Sequence, residues 1–151
     1  MATLIDGKAI AKKIKQKTAE RVQLLKQKGI TPRLEVILVG NDEASLMYDR
    51  MKGAAAVKIG IEFELHHLPA TTTVDEMVKK IKNIQSTGLV TGLILQLPLP
   101  DHLYVPEVLN AIDQNIDVDF FTNFNLGALV MNTPHTTPPT PGAVITILEE
   151  L

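Results

Sequence analysis

The sequence predicts a three-layer α/β/α fold, in which helices cover both faces of a mainly parallel sheet. Short apolar runs rich in β-branched residues alternate at least three times with segments of helical periodicity, which is typical of βαβ units. The strand-like runs LEVILVG and GLIL are apolar at almost every position, as strands buried on both faces are. The 151 residues, 45% of them hydrophobic and 21% charged, suffice for one soluble domain with a core.

In the first half of the chain, a helix, a strand and a second helix are predicted in that order. The first segment has apolar residues at helical spacing, with Asp6 as its cap and Gly29 as its stop. The run LEVILVG (34–40) predicts a buried strand. A second helix follows over 43–59 and ends at Gly60.

A strand, a helix and another strand are predicted next. Apolar and polar residues alternate in IEFELHH (61–67), which indicates a half-buried strand, and threonines cap a helix within 71–88. The run LVTGLILQLPLP (89–100) predicts a buried strand that its prolines end. The remaining expectations are a short helix in VPEVLNAI (105–112), loop structure from Asp113 to Pro141, and a last helix in GAVITILEEL (142–151).

Composition excludes several classes of function. A formal net charge of -2 offers no global field for nucleic acid or for an anionic membrane, so neither is an expected partner. The chain has no run of about 18 apolar residues and no signal-like apolar core near its start, which favours a soluble, cytoplasmic protein. The absence of cysteine excludes disulfides, thiolate catalysis and cysteine-ligated metals.

Motifs for several common sites are also missing. The sequence has neither GxGxxG nor a P-loop, and it has no GxSxG nucleophile turn. Its four histidines lack HExxH spacing, so no metal site is predicted, and His66 and His67 are interpreted as residues at a strand end.

One lysine of the helix over 43–59 stands out, because it is predicted to lie on a small, apolar stripe. Projection at 100° per residue puts Lys52 on one face with the following residues: Ser45, Tyr48, Ala55, Ala56 and Ile59. Such a lysine either extends its ammonium to a nearby rim or points into a cleft where its charge is used. The helix alone leaves both readings open.

Two further polar features end near the same edge of the predicted sheet. Gln96 directly follows GLIL, so its amide would lie at the carboxyl end of a strand, where sites in open parallel sheets occur. Asp117 and Asp119 lie two residues apart in the apolar stretch NIDVDFF. A buried carboxylate there needs a donor from the protein or from a ligand.

Several short motifs, in order and at characteristic distances, carry a resemblance to a known family. They are IDGKAIA, LVGNDEASLMYDRMK with GI shortly after, GLILQLPLP, DVD, NLG and PPTPGAV. From Ile5 to about Leu148 the chain resembles the N-terminal catalytic domain of methylenetetrahydrofolate dehydrogenase/methenyltetrahydrofolate cyclohydrolase. The resemblance implies a bifunctional enzyme that interconverts methylene-, methenyl- and 10-formyl-tetrahydrofolate and serves purine biosynthesis.

The resemblance also implies roles for individual residues. Lys52 would be the catalytic lysine, Gln96 would hydrogen-bond near it, and the Tyr48 ring would stack against the folate. Asp119 would bind the N–H edge of the pterin. Ser45 would lie close to the substrate and orient Lys52, and Leu97 and Pro98 would form part of the pocket wall. Thr140 would contact the nicotinamide cofactor. Because no partner for the lysine is predicted, Lys52→Met is expected to abolish turnover and leave the fold intact.

The chain departs from the family pattern at four positions. Phe120 stands where the family has a glycine after DVD, and Ala54 replaces a second basic residue two positions after the lysine. Pro139 replaces a common cysteine, and Glu43 replaces a proline at the start of a helix. The first of these changes is the most consequential, since it lies beside Asp119.

The family continues into a Rossmann-type domain that binds NADP or NAD. Residues 1–151 are therefore expected to be the folate-binding catalytic domain, with about 141–151 leading toward that second domain. Hydride transfer is expected to be lost without it, because nothing would hold the nicotinamide in line. The family resemblance also implies a homodimer.

Two other functions are consistent with the same residues. Lys52 could form a Schiff base with a carbonyl substrate, as in an aldolase-like enzyme. Alternatively, the chain could be a non-catalytic remnant that binds folate or a partner without turnover.

Overall fold

A three-stranded parallel sheet forms the centre of the fold. In this computed structural model, which describes residues 4–150, β1 (Arg33–Val39) lies between β2 (Glu62–Leu68) and β3 (Gly92–Leu95). In the register of the sheet, Val36 pairs with Leu65 on one side and Ile94 on the other. The predicted α/β class and the parallel direction of the strands are both confirmed.

Helices separate and follow the strands. Their bounds are α1 Gly7–Gln27, α2 Glu43–Lys58, α3 Val74–Ser86, α4 Pro106–Leu109, α5 Asn123–Val130 and α6 Pro139–Glu149. The Asp6 carboxylate caps α1 by accepting from the backbone N–H groups of Lys8 and Ala9, as the sequence predicts. Thr73 caps α3 in a reciprocal capping box with Glu76. Within residues 4–150, no helix combines the length and the apolarity that crossing a membrane requires.

The main apolar core lies between the sheet and α3. Ile37 of β1, Leu93 of β3 and Met77 and Ile81 of α3 are completely buried there. Helix α4 and the 3-10 turn Asp101–Leu103 close this core from the side through Val108 and Leu103. Burial of a large aliphatic side chain contributes about 1.5–3 kcal/mol, so this cluster accounts for much of the fold's stability.

Helix α2 covers the opposite face of the sheet at close range. A Cβ on Gly53 would lie 2.7 Å from the ring of Phe63 in β2, so any larger residue would force this ring or the helix to move. The buried residues of α2 are Ser45, Asp49, Gly53 and Ala56. The buried face of α2 therefore differs from the predicted stripe, because Tyr48 is exposed and Lys52 is only partly buried.

The second half of the chain is more helical than predicted. The expectation of loop structure from Asp113 to Pro141 was wrong, because α5 forms within it and α6 begins at Pro139. Thr122 initiates α5 by accepting from the N–H of Asn125, and prolines are tolerated in the first turn of α6 because no intrahelical partner is needed there. β3 is also shorter than the predicted run, and Leu151 of the last predicted helix lies outside the described residues.

The strand order places a crevice beside β1. The chain leaves β1 for β2 through α2, then crosses to β3, on the other side of β1, through α3. Ligands of open α/β sheets bind where strand order reverses in this way, beyond the carboxyl ends of the strands. The segment after β1 and the QLPLP segment after β3 meet at that edge.

Candidate active site

Lys52 points toward the carboxyl end of β3 and is held on three sides. Its Nζ donates to Oε1 of Gln96, lies 2.9 Å from Oδ1 of Asp49, and stands 5.1 Å from the centre of the Tyr48 ring. The side chain remains 22% exposed. The sequence left two interpretations of Lys52 open, and the structure supports the one in which its ammonium points into a cleft rather than out to solvent.

Gln96 is fixed by its own backbone and by the next residue. Its N–H donates to the carbonyl of Ile37 at 2.8 Å, which continues the β1–β3 pairing by one residue. Its side-chain Nε2 donates to the carbonyl of Leu97 at 2.5 Å. With the amide nitrogen engaged in this way, the amide oxygen faces Lys52, and the pair forms without an added charge.

A small open pocket lies beside Tyr48 and Gln96, which both contact Lys52. Its volume is about 290 Å³, and it is lined by Asp42, Ala44, Ser45, Tyr48, Gln96, Leu97 and Pro98. The predicted residues Ser45, Tyr48, Gln96, Leu97 and Pro98 therefore come together. Tyr48 and Leu97 are 58% and 43% exposed, so their apolar surfaces are available to a planar ligand.

Ser45 has a different contact from the expected one. Its Oγ donates to the carbonyl of Leu97 at 3.3 Å, and among the described residues no hydrogen bond joins it to Lys52. Its N–H donates to the Asp42 carboxylate, which caps α2, and the hydrogen bonds from Ser45 lower the pKa of Asp42. Ser45 thus ties the start of α2 to the segment after β3, while Gln96 and Asp49 hold the lysine.

Asp119 reaches the same edge because the preceding residues run beside β3. The N–H of Leu93 donates to the carbonyl of Ile116 at 2.8 Å, and Leu93 forms a parallel bridge with Asp117. The Asp119 carboxylate is half-buried and accepts no hydrogen bond from the described residues. Burial raises its pKa, the charge of Asp117 adds to the rise, and the nearby charge of Lys52 opposes it.

Asp117 serves a different purpose from its neighbour. Its carboxylate is buried and accepts from the backbone N–H groups of Phe121 and Thr122, at 3.0 and 2.9 Å, and from Nδ2 of Asn125 at 3.0 Å. These bonds fold the chain back after Asp119 and fix the start of α5. Of the two carboxylates in DVD, this one finds its donors in the protein.

Phe120 adopts the backbone conformation that a glycine would occupy easily. Its φ is +62°, a left-handed value that is costly for a bulky residue, and its side chain is only 5% exposed. The ring stacks against His135, with centroids 6.4 Å apart. Burial and stacking therefore offset the strain, and the turn beside Asp119 is kept despite the loss of the family's glycine.

Asp49 is the site residue that sequence reasoning missed. It lies one turn before Lys52 on α2 and is completely buried, although the helical projection singled out neither its face nor its charge. The spacing of Ser45, Asp49, Gly53 and Ala56 at intervals of about four residues was the available signal, since small residues mark a helix that packs closely. The apolar stripe predicts an apolar environment for Lys52, but the buried Asp49 carboxylate makes this environment polar.

Thr140 does not join this group. It is exposed in the first turn of α6, outside the residues that line the pocket. The sequence carries no GxGxxG loop, and the described residues present no cradle for a pyrophosphate at the candidate site. These residues do not fit a nicotinamide dinucleotide by themselves, so no chemical step is assigned to one here.

A second cluster of polar residues lies on the α3 side of the sheet. Ligand atoms of Glu35, Glu64 and His66 lie within 4.8 Å of one another, a grouping that the histidine spacing did not predict. Arg33 donates to Glu35 at 2.8 Å and also to Glu64, and its hydrogen bond to Glu35 raises the pKa of Arg33. The guanidinium already provides the positive charge that these carboxylates require.

Comparison with known proteins decides the family. The family model described as tetrahydrofolate dehydrogenase/cyclohydrolase, catalytic domain, matches residues 5–119. The chain belongs to this family. The resemblance that the sequence motifs carry is thereby confirmed, and this dehydrogenase/cyclohydrolase catalytic domain includes every pocket-lining residue described above.

Individual relatives extend the match to nearly the whole chain. The domain is 43% identical over 150 residues to bifunctional protein FolD 2 of Geobacter metallireducens, which covers 99% of this chain and 53% of the relative. Bifunctional protein FolD of Methanococcoides burtonii is 44% identical over 148 residues, covering 97% of this chain and 52% of the relative. The chain spans about half the length of the curated relatives it matches.

Solved structures agree with the fold. The crystal structure of the bifunctional enzyme FolD, methylenetetrahydrofolate dehydrogenase/cyclohydrolase, from Campylobacter jejuni superimposes with a TM-score of 0.93 at 38% identity, covering 98% of this chain and 53% of that one. The Trypanosoma brucei enzyme, complexed with NADP cofactor and inhibitor, gives 0.91 at 32% identity, covering 98% and 51%.

Proposed function

We propose that this domain binds a reduced folate in the pocket between α2 and the end of β3, and that it catalyses hydration of the folate's methenyl bridge. The observation that carries the proposal is the contact between Lys52 and Gln96 beside the exposed Tyr48 ring, at the switch point of a domain of this family. The half-buried Asp119 supplies a carboxylate that still requires donors, as the N–H edge of a pterin would offer.

The proposed reaction uses the groups in simple roles. Water attacks the cationic bridge carbon and releases one proton to solvent, which leaves a neutral hydroxymethylene bridge. The remaining hydroxyl proton then passes to one of the two bridge nitrogens as the bond from that nitrogen to the carbon breaks, so a formyl group stays on the other nitrogen. Lys52 has three N–H donors, of which one binds Gln96 and another faces Asp49, so a third can contact the water or the developing formyl oxygen. Tyr48 and Pro98 would flank the ligand ring.

The dehydrogenase reaction of the full-length relatives requires more than these residues. Hydride transfer needs a nicotinamide held in line with the bridge carbon. We propose that NADP or NAD is bound by the half of the full-length proteins that this chain does not match, with Thr140 and residues 141–150 at the junction. By family resemblance, the full-length protein would act as a cytoplasmic homodimer, which sedimentation of a full-length form would test.

The decay of methenyltetrahydrofolate absorbance at neutral pH tests the cyclohydrolase proposal. Protein-dependent decay that disappears in Lys52→Met would support it, and decay at the background rate in both proteins would contradict it. Lys58→Met provides a matched control, because that lysine lies in the last turn of α2 and is exposed.

Two simple measurements separate the competing functions. A Schiff-base enzyme would trap a carbonyl substrate on Lys52 under borohydride and would bind no folate analogue. A remnant without catalysis would bind the analogue and leave the methenyl absorbance unchanged. The contact of Lys52 with both Gln96 and Asp49 favours the hydration chemistry, since an amine engaged on two sides is poorly placed to attack a carbonyl.

A further inference from the structure

Asp49 presents an unusual combination of burial and missing partners. Its side chain is 0% exposed, and it lies on the face of α2 that packs against the sheet together with Ser45, Gly53 and Ala56. A carboxylate removed from water is strongly destabilising unless donors or a counter-charge compensate for the lost hydration. Packing alone therefore does not explain a buried aspartate at this position.

The compensation comes from one group of the described chain. Nζ of Lys52 is 2.9 Å from Oδ1 of Asp49, an ion-pair distance, although the angle is not that of a hydrogen bond. Neither carboxylate oxygen has a hydrogen-bond partner among residues 4–150. The carboxylate thus depends on the lysine that the proposed function places at the reaction centre.

The same contact constrains the lysine. A lysine side chain has four rotatable bonds, and on a half-exposed helix face it would otherwise extend into solvent. Asp49 attracts the ammonium from within the helix face while Gln96 accepts from it across the pocket, so the two contacts together define where Nζ lies.

The pair also sets the charge of the pocket. An ammonium alone beside the bridge would repel a cationic methenyl group, and the repulsion would be large in a partly desolvated site. A carboxylate 2.9 Å away cancels that charge, so the lysine can donate hydrogen bonds without excluding a cation. Two other carboxyl groups lie near, that of Asp119, whose pKa burial raises and the charge of Lys52 lowers, and that of Asp42 in the pocket lining.

We propose that Asp49 is the positioning residue of this site, a buried counter-charge that holds Lys52 against Gln96 and admits a cationic folate next to it. The proposal rests on the proposed folate function. It assigns to Asp49 a selectivity that a purely structural residue would not have, namely a preference for the cationic methenyl form over folates with an uncharged ring.

The first test compares two affinities in Asp49→Asn and in the wild-type protein. Folic acid is titrated directly, and methenyltetrahydrofolate is measured by rapid-mixing competition before it hydrolyses. The expected result is a loss of about tenfold in affinity for the methenyl form relative to folic acid. Asp75→Asn, an equal loss of charge at an exposed position in the first turn of α3, should keep the wild-type ratio.

An unchanged ratio in a folded Asp49→Asn protein would overturn the proposal. If that variant does not fold, Asp49→Leu replaces it, because an apolar side chain needs no partner in the buried space. The same ratio is then measured, and the same two outcomes support or overturn the inference.

A second measurement keeps this inference separate from the folate proposal. Lys52→Met should lower the urea midpoint of the wild-type protein, because it isolates the buried carboxylate, and should leave the midpoint of Asp49→Leu almost unchanged. Equal shifts in both backgrounds would overturn the pairing. A wild-type protein that binds neither folate would contradict the proposed function. The urea midpoints of the wild-type protein, the two single variants and the double variant would then decide whether Asp49 positions Lys52.

Discussion

Asp117 and Asp49 are both buried aspartates near the carboxyl edge of the sheet, but their carboxylates have opposite surroundings. Asp117 accepts two backbone N–H groups and the amide of Asn125, whereas Asp49 faces the ammonium of Lys52 and no hydrogen-bond donor of the described chain. The first arrangement stabilises a turn. In the second arrangement, a buried charge depends on a residue of the proposed active site. The contact therefore restricts the position of Lys52, although the fold itself does not require it.

Asp119 completes the comparison as a carboxylate between these extremes. It is half-buried, it accepts no hydrogen bond from the described residues, and burial raises its pKa. Three aspartates of one edge thus differ in the origin of their partners: backbone donors for Asp117, a lysine for Asp49 and, by our proposal, the ligand for Asp119.

The largest effect on stability is expected from Asp117→Ala. The buried N–H of Thr122 and the half-buried N–H of Phe121 would lose their acceptor, at about 1–3 kcal/mol each, so the free energy of unfolding should fall by roughly 2–6 kcal/mol. The amide of Asn125 would keep the carbonyl of Gln114 as an acceptor. Urea unfolding measures this loss. Asp113→Ala is a matched control at an exposed aspartate that accepts from Asn115, and it should cost about 0.5 kcal/mol. A similar loss in both variants would show that Asp117 is not specially stabilising.

Lys52→Met should affect both turnover and stability. The sequence-based expectation of an intact fold assumed that the lysine had no partner, but the structure places the Asp49 carboxylate 2.9 Å away. Removing the lysine leaves that carboxylate unpaired, so we expect lost cyclohydrolase activity and a loss of about 1–3 kcal/mol in the free energy of unfolding. Lys58→Met should change the unfolding free energy by less than about 0.5 kcal/mol. A Lys52→Met protein as stable as the wild type would contradict the dependence of Asp49 on the lysine.

Asp119→Ala should weaken ligand binding while sparing the fold. Charge-assisted hydrogen bonds from a pterin to this carboxylate contribute on the order of 1.5–3 kcal/mol, so the dissociation constant of folic acid should rise by roughly 10- to 150-fold. Equilibrium dialysis measures the constant. The urea midpoint should stay near the wild-type value because residues 4–150 donate no hydrogen bond to this carboxylate. Unchanged affinity would exclude Asp119 from the binding site.

The smallest effect is a pH dependence of that affinity. Because the pKa of Asp119 is raised, its carboxylate is protonated at a higher pH than that of an ordinary aspartate, and a neutral carboxyl accepts N–H groups less well. Affinity for folic acid should therefore fall as the pH drops through this raised pKa, by up to about tenfold per pH unit below it. In Asp119→Asn this component of the pH profile should be absent. A profile identical in the two proteins would assign the titration to another group, such as Asp42 or the ligand.

The sequence alone predicted the parts of this domain that depend on local pattern. Alternating apolar runs and helical periodicity indicated the parallel sheet, and caps such as Asp6 and Thr73 marked helix starts, because these signals involve residues only a few positions apart. Topology then placed Lys52 and Gln96 at one edge, and the order of the motifs indicated the family that the comparisons confirm.

Tertiary packing decided what local pattern could not. The buried face of α2 is set by its close approach to Phe63, which small residues permit, so a polar residue such as Asp49 enters the interior without any apolar signal in the sequence. The folding of Asn123–Val130 into a helix likewise depends on Asp117, which binds the N–H of Thr122 and is itself held beside β3 by the bridge with Leu93. Phe120 retains a left-handed turn because burial and the ring of His135 compensate for its strain. Each of these outcomes depends on contacts between separate segments, and only the folded chain brings those segments together.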